Sequence, residues 1–203
     1  MNIPSKNACF ELMCAMHMLE HIVAHSFQVC RVATGLVDHL KLEGISLNRR
    51  LVQAAALLHD ITKTRSFKTR ENHALTGAQY LTDAGYPEVG TLVRQHVRLD
   101  DYSEYKSLTA AEIINYADKR VLHDRIVPLD ERMTYIMEKY ATLPEHEQRI
   151  RLLWAKTKVL EKQIFSYLPF SANNLKDHLP SLDITGEISS YQKLCSQFPS
   201  GSI

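Results

Sequence analysis

No long apolar run, no cysteine framework and no dominant charge mark this chain, and each absence removes a class of protein. No stretch of about eighteen consecutive apolar residues occurs, so a membrane span is not expected. Glu11, His17, Glu20 and His21 interrupt the apolar N-terminal stretch, which argues against the hydrophobic region of a secretory leader. The four cysteines, Cys9, Cys14, Cys30 and Cys195, form no CxxC pair and no regular spacing. They read as reduced thiols of a cytosolic protein. The formal net charge is only +1, so no overall field recruits a membrane surface, and nucleic acid is disfavoured as a partner. Strict alternation of apolar and polar residues is missing as well, which leaves room for a short hairpin at most.

Helical periodicity is present almost everywhere instead, and it predicts an all-α protein. At 203 residues with 45% hydrophobic content, the chain can bury a core of one medium domain. Leu19 to Leu40 reads as a helix with Val29, Val32, Leu36 and Leu40 on one face. Asn48 suits the N-cap of a following helix, Leu51 to Leu58, which is apolar nearly all round and so belongs at the centre of a domain. Thr62 to Arg70 reads as a polar loop. Further helices are expected over 72–83, from Pro87 to about His96, over 110–122 behind a Thr109–Glu112 capping box, from Pro128 to about Tyr140, and over roughly 145–168. The loop from Arg98 to Lys106 is acidic and carries tyrosines. After residue 168 prolines and small polar residues accumulate. The expected organisation is therefore a helical domain over 1–168 with an extension over 169–203, wrapped on the domain or partly disordered.

Ten histidines are the compositional oddity, and their placement carries the chemistry. His59 and Asp60 close the most apolar helix. Burying an imidazole and a carboxylate there is costly without a partner, and a divalent ion is one such partner. His25 lies four residues before Val29, on the inward face of its helix, and Asp118 follows Ile114 by four residues on the core face of another. Alone, His25 is a hydrogen-bonded core histidine and an HD dipeptide is a chance event. Three helices each turning a ligand-type side chain inward are not so easily dismissed. His17 and His21 extend the His25 spacing backwards, but read as a structural residue and a flank of the site. His39, His123, His146 and His178 belong to no constellation.

The segments His25-Ser26-x-x-Val29-x-x-x-Ala33, Ala55-Ala56-Leu57-Leu58-His59-Asp60-Ile61-Thr62-Lys63 and Tyr116-Ala117-Asp118-Lys119 together resemble the HD superfamily of metal-dependent phosphohydrolases. They span about half the chain in the family's order. The resemblance implies an HD-domain helical bundle, with His25, His59, Asp60 and Asp118 as ligands of a divalent transition metal. His73, in Asn72-His73-Ala74-Leu75-Thr76-Gly77-Ala78, and His96 match the two extra histidines of two-metal members. On that pattern Asp60 bridges two ions, with His25, His59 and Asp118 on the first and His73 and His96 on the second. Either extra histidine could instead contact substrate or support a ligand. Thr62 stands where the HDIG form has glycine, and no GYP motif occurs.

The implied activity is hydrolysis of a nucleotide or other small phosphate ester by a metal-activated hydroxide, with one or two ions of iron, manganese, nickel or zinc. Lys63, one turn beyond the HD pair, and Arg125, seven residues after Asp118, are the candidate cations for the phosphoryl oxygens. The basic group Lys119, Arg120, Arg125 and Arg132 admits two readings, a solvated helix end or phosphate capture. The alternatives to a general phosphohydrolase are symmetrical cleavage of diadenosine tetraphosphate, which similar two-metal proteins perform, and a metal-bound nucleotide-binding or regulatory module without turnover. An oxygenase with a related iron pair is a third. The expected partner is a small phosphate-bearing molecule, with no membrane; association into a homodimer is left open.

Overall fold

Capping residues and chain punctuation decide where the helices of this protein begin and end. The computed structural model describes residues 1–101 and 107–197, and residues 102–106 of the tyrosine-bearing loop and 198–203 of the extension lie outside it. Helix α1 (Lys6–Ala15) starts at Ser5, whose hydroxyl accepts from the Ala8 amide. Helix α2 (Glu20–Leu42) is the long central element, and α3 (Arg49–Leu58) starts where the Asn48 carbonyl oxygen accepts from the Leu51 amide. A short α4 (Lys63–Thr69) follows and ends at Arg70 in the left-handed region. It replaces the expected polar loop. Helix α5 (His73–Asp83) begins at the cap Asn72, and α6 (Pro87–Arg94) begins at a proline in its first turn. Helix α7 (Ala110–Lys119) carries the full Thr109–Glu112 capping box.

The sequence expects α7 to run on to residue 122, but it stops at Lys119. Val121–Leu122 (β1) and Arg125–Ile126 (β2) form a two-stranded antiparallel hairpin instead, turned by His123 at φ 56°. Helices α8 (Leu129–Tyr140) and α9 (Pro144–Ser166) then form an antiparallel pair with its own small apolar cluster of Leu129, Met133 and Ile150. A 3-10 segment (Ala172–His178) and α10 (Ile184–Cys195) complete the described chain. All-α is thus the fold class, with one small hairpin among the described residues.

The main core forms where α2, α3 and α7 meet. Val29, Val32, Leu36, Ala54, Ala55, Leu58, Ile113, Ile114 and Tyr116 are fully buried there. Burial of this kind is worth roughly 1.5–3 kcal/mol for each large aliphatic side chain. Helices α5 and α6 pack closely because Gly90 lacks a side chain, as a Cβ at that position would sit 2.6 Å from the Ala78 carbonyl oxygen. Tyr116 donates to Glu161 at 2.6 Å, which fastens α7 to α9.

Residues 170–195 lie against the helices. Leu175, Leu179 and Tyr191 are buried, and Arg31 donates to the Pro180 carbonyl at 2.6 Å. Helix α10 packs beside α1, where Lys6 pairs with Glu187 at 2.6 Å and a disulfide joins Cys14 to Cys195. The expectation of four reduced thiols is therefore corrected for these two, and only Cys9 and Cys30 are free among the described residues. Spacing could not reveal a pair that tertiary docking creates across 181 residues. With it goes the thiol-based argument for a reducing compartment. Among the described residues no helix is long and apolar enough to cross a membrane.

Candidate metal centre

Four helices and one tight turn deliver six side chains to one place. His25 comes from the buried face of α2. His59 and Asp60 occupy the turn between α3 and α4, closed by the Ile61 amide donating to the Leu58 carbonyl and the Lys63 amide to that of Asp60. His73 is the first residue of α5, and its carbonyl accepts from the Thr62 hydroxyl at 2.8 Å, which ties α5 to the HD turn. His96 follows the end of α6, and Asp118 lies in the last turn of α7.

These side chains form two adjoining groups, His25–His59–Asp118 and Asp60–His73–His96, in each of which the candidate ligand atoms lie within 4.8 Å of one another. Asp60 connects them. Its Oδ2 is 3.6 Å from His59 Nε2, while its Oδ1 is 3.1 Å from His73 Nε2 and 3.5 Å from His96 Nε2. Asp118 Oδ1 is 3.1 Å from His25 Nε2 and 3.8 Å from His59 Nε2. The two groups meet where the His59 and His96 rings stand 5.0 Å apart.

The protonation pattern fits cations in both groups. Nδ1 of His25, His59 and His96 lies 2.7–2.8 Å from the carbonyl oxygens of His123, Ala56 and Val93 respectively. A carbonyl can only accept, so each Nδ1 carries the proton, and in a neutral ring the lone pair is on Nε2, facing the carboxylates. Two electron-rich atoms 3.1 Å apart, as at His25 Nε2 and Asp118 Oδ1, repel unless a positive species lies between them. His59 Nε2 and Asp60 Oδ1 are buried with no hydrogen-bond partner at all, a costly state that coordination would relieve. Burial pushes the His59 imidazole down to about 3, so it stays neutral and ready to ligate. Burial alone would raise the Asp60 carboxyl, but His59, Lys63, His73 and His96 outweigh it and hold the group well below the usual range. For Asp118 burial is likewise outweighed, by Lys119, His25, Arg132 and His59. Neutral imidazoles and ionised carboxylates are the forms a divalent transition metal requires.

The cations around these groups divide by position. Lys63 Nζ lies 3.5 Å from Asp60 Oδ1 and 3.4 Å from His73 Nε2, and its side chain reaches solvent. Lys119 is buried. It donates to the His96 carbonyl at 2.6 Å and lies 3.4 Å from Asp118 Oδ2, touching both ligand groups from beneath. Arg132, from α8, places Nη2 4.0 Å from Asp118 Oδ1 and keeps a buried Nε without a partner. Arg120 is used up structurally by Tyr116, Glu161 and the carbonyls of Val127 and Ala172.

Arg125 is the correction. Its expected place rested on two further helical turns after Asp118, and α7 ends before the first. It lies on β2 with 67% of its side chain exposed and pairs with Glu131 at 3.5 Å. His17 and His21 are exposed, and neither joins a ligand group. His123 contributes through its backbone carbonyl, which no pattern of side chains reveals.

A family model described as HD domain matches residues 22–152, a span that includes all six ligand candidates. A tRNA (cytidine(56)-2'-O)-methyltransferase of Picrophilus torridus is 29% identical over 163 residues. The match takes in 74% of this chain and 45% of that protein, so the chain spans less than half the length of this curated relative. No solved structure matches.

Proposed function

The chain belongs to the HD domain family, and from that premise we propose that it is a metal-dependent phosphohydrolase acting on a nucleotide or another small phosphate ester. One observation supports this above the rest: Asp60 turns one carboxylate oxygen toward each of two adjoining ligand groups. A pair of divalent ions, when bound, supplies a hydroxide nucleophile at neutral pH and neutralises charge on phosphoryl oxygens. His25, His59 and Asp118 would hold one ion, His73 and His96 the other, with Asp60 serving both. Lys63 offers a point charge to a phosphoryl oxygen beside the second group. Arg132 offers a planar fork beside the first, and its unpartnered Nε is a donor still to be satisfied.

The test is phosphate release by the purified chain, loaded in turn with manganese, iron, nickel or zinc. The substrates are nucleoside monophosphates, ribose 5-phosphate and diadenosine tetraphosphate. Turnover of at least one substrate, abolished in Asp60→Ala with helicity intact, is the expected result. A second reading draws on the relative named for tRNA methylation, namely a metal-bound nucleotide-binding unit that serves an RNA-modifying enzyme without turnover. Nucleotide binding with no hydrolysis under any of the four metals would replace the first reading by the second.

A further inference from the structure

The rim of the first ligand group carries an aromatic corner that phosphate-ester chemistry alone does not use. His123 turns the β1–β2 hairpin in the left-handed region, and its carbonyl is fixed by His25 Nδ1 at 2.8 Å. Its exposed ring meets Tyr135 of α8 with centroids 5.4 Å apart at 77°. Arg132 sits 5.7 Å over the same Tyr135 ring while reaching to 4.0 Å from the Asp118 carboxylate. The Tyr135 hydroxyl accepts from Lys139 at 2.8 Å, which steadies the ring from the other end. Two flat surfaces at nearly right angles therefore stand beside a guanidinium that borders the ligand group.

We propose that the His123–Tyr135 corner binds the base of a nucleotide whose phosphate lies at the metal centre, with Arg132 between the two. This rests on the phosphohydrolase reading for the phosphate end and adds the substrate class. The chemistry at each end matches. Contacts of 4.0 and 5.7 Å lead from the Asp118 carboxylate through Arg132 to the aromatic ring, a span that the sugar of a nucleotide bridges between phosphate and base. A base offers a π face to one ring and an edge to the perpendicular one, whereas a bare sugar phosphate offers neither. Left-handed backbone at a non-glycine residue is uncommon, and here it holds the His123 ring outward while its carbonyl serves a ligand.

The test is calorimetric binding of adenosine monophosphate and of ribose 5-phosphate to the manganese-loaded full chain, with metal content and melting temperature measured in parallel. The wild-type protein should prefer the nucleotide by about 5- to 100-fold, the scale of one base–aromatic stack. In His123→Asn, which keeps a residue tolerant of the left-handed region, and in Tyr135→Leu, which keeps an apolar side chain without the ring, that ratio should fall toward one. Equal affinity for the two ligands in the wild type would overturn the proposal. So would a preference unchanged in both variants, with or without a drop in melting temperature, because the corner would then be a packing contact only. Hydrolysis separates the two readings. Selective binding of the nucleotide without release of phosphate would defeat the phosphohydrolase reading and keep the base corner, and equally efficient hydrolysis of both ligands without selective binding would do the reverse.

Discussion

Replacing Lys119 with methionine removes a buried positive charge while nearly preserving side-chain volume. The ammonium lies 3.4 Å from Asp118 Oδ2 and donates to the His96 carbonyl at 2.6 Å, with only 3% of the side chain exposed. Breaking a buried pair by removing one member costs about 3–5 kcal/mol when the other is left uncompensated. Asp118 is not left alone, since Arg132 Nη2 is 4.0 Å away, and the His96 carbonyl keeps Asn115 Nδ2 at 3.0 Å. The metal-free variant should therefore lose about 2–3 kcal/mol, a fall in melting temperature of roughly 5–10 °C for a domain of this size. Manganese should shrink the deficit, because a dication beside Asp118 supplies the missing charge. The His96 side should suffer instead. With its carbonyl anchor weakened, affinity for the ion at Asp60, His73 and His96 should drop about 10- to 100-fold, the usual effect of removing a group that orients a ligand. Thermal unfolding in chelator and in manganese, with elemental analysis after dialysis, measures both effects. An identical loss of stability with and without metal, or none in chelator, would refute the reasoning.

Three further outcomes are expected. Lys63→Ala and Arg132→Ala should each lower kcat/KM by roughly 10- to 1000-fold at unchanged metal content, on the scale of losing one donor to the reacting phosphoryl group, while Arg125→Ala, exposed and paired with Glu131, should stay within about twofold of wild type. Gly90→Ala forces a Cβ to 2.6 Å from the Ala78 carbonyl and should cost about 1–3 kcal/mol; because α5 and α6 carry His73 and lead to His96, metal content should fall toward one ion per chain. In chelator, stability should decline as pH drops. Burial holds His59 down to about 3, whereas the unfolded imidazole titrates near about 6.5, so the unfolded chain takes up the proton first and the contribution is whole above about pH 6.5 and lost on the way to 3. Asp60 and Asp118, both held below the usual carboxylate range, add to the loss below about pH 4. A denaturation midpoint that stays level from pH 7 to pH 5 would contradict the assignment of His59 as a buried neutral ring.

Much of this arrangement is legible in the chain because the ligands sit at helical offsets from residues that must be buried. His25 precedes Val29 by one turn and Asp118 follows Ile114 by one turn, so the face that packs is the face that ligates. Asn48 and the Thr109–Glu112 pair mark helix starts through hydrogen bonds local enough to be seen in sequence. What escapes is whatever depends on distant packing or on the backbone. Helix α4 has no buried residue, hence no apolar period to betray it. The end of α7 is set by the hairpin and the left-handed His123, neither of which has a periodic signal, so helical spacing from Asp118 points to Arg125 and not to Arg132. Nothing in the side chains of His123 or Lys119 announces that one supports His25 through a carbonyl and the other joins both ligand groups from below.

The bridge between Cys14 and Cys195 has a topological consequence. From one sulfur to the other the chain is a closed covalent circuit that encloses every ligand of both groups, because all six lie between residues 25 and 118. Under oxidising conditions a protease that cuts this circuit once opens a ring and does not produce two pieces. The halves of the site then stay on one molecule, held by the α1–α10 junction, until a reductant arrives.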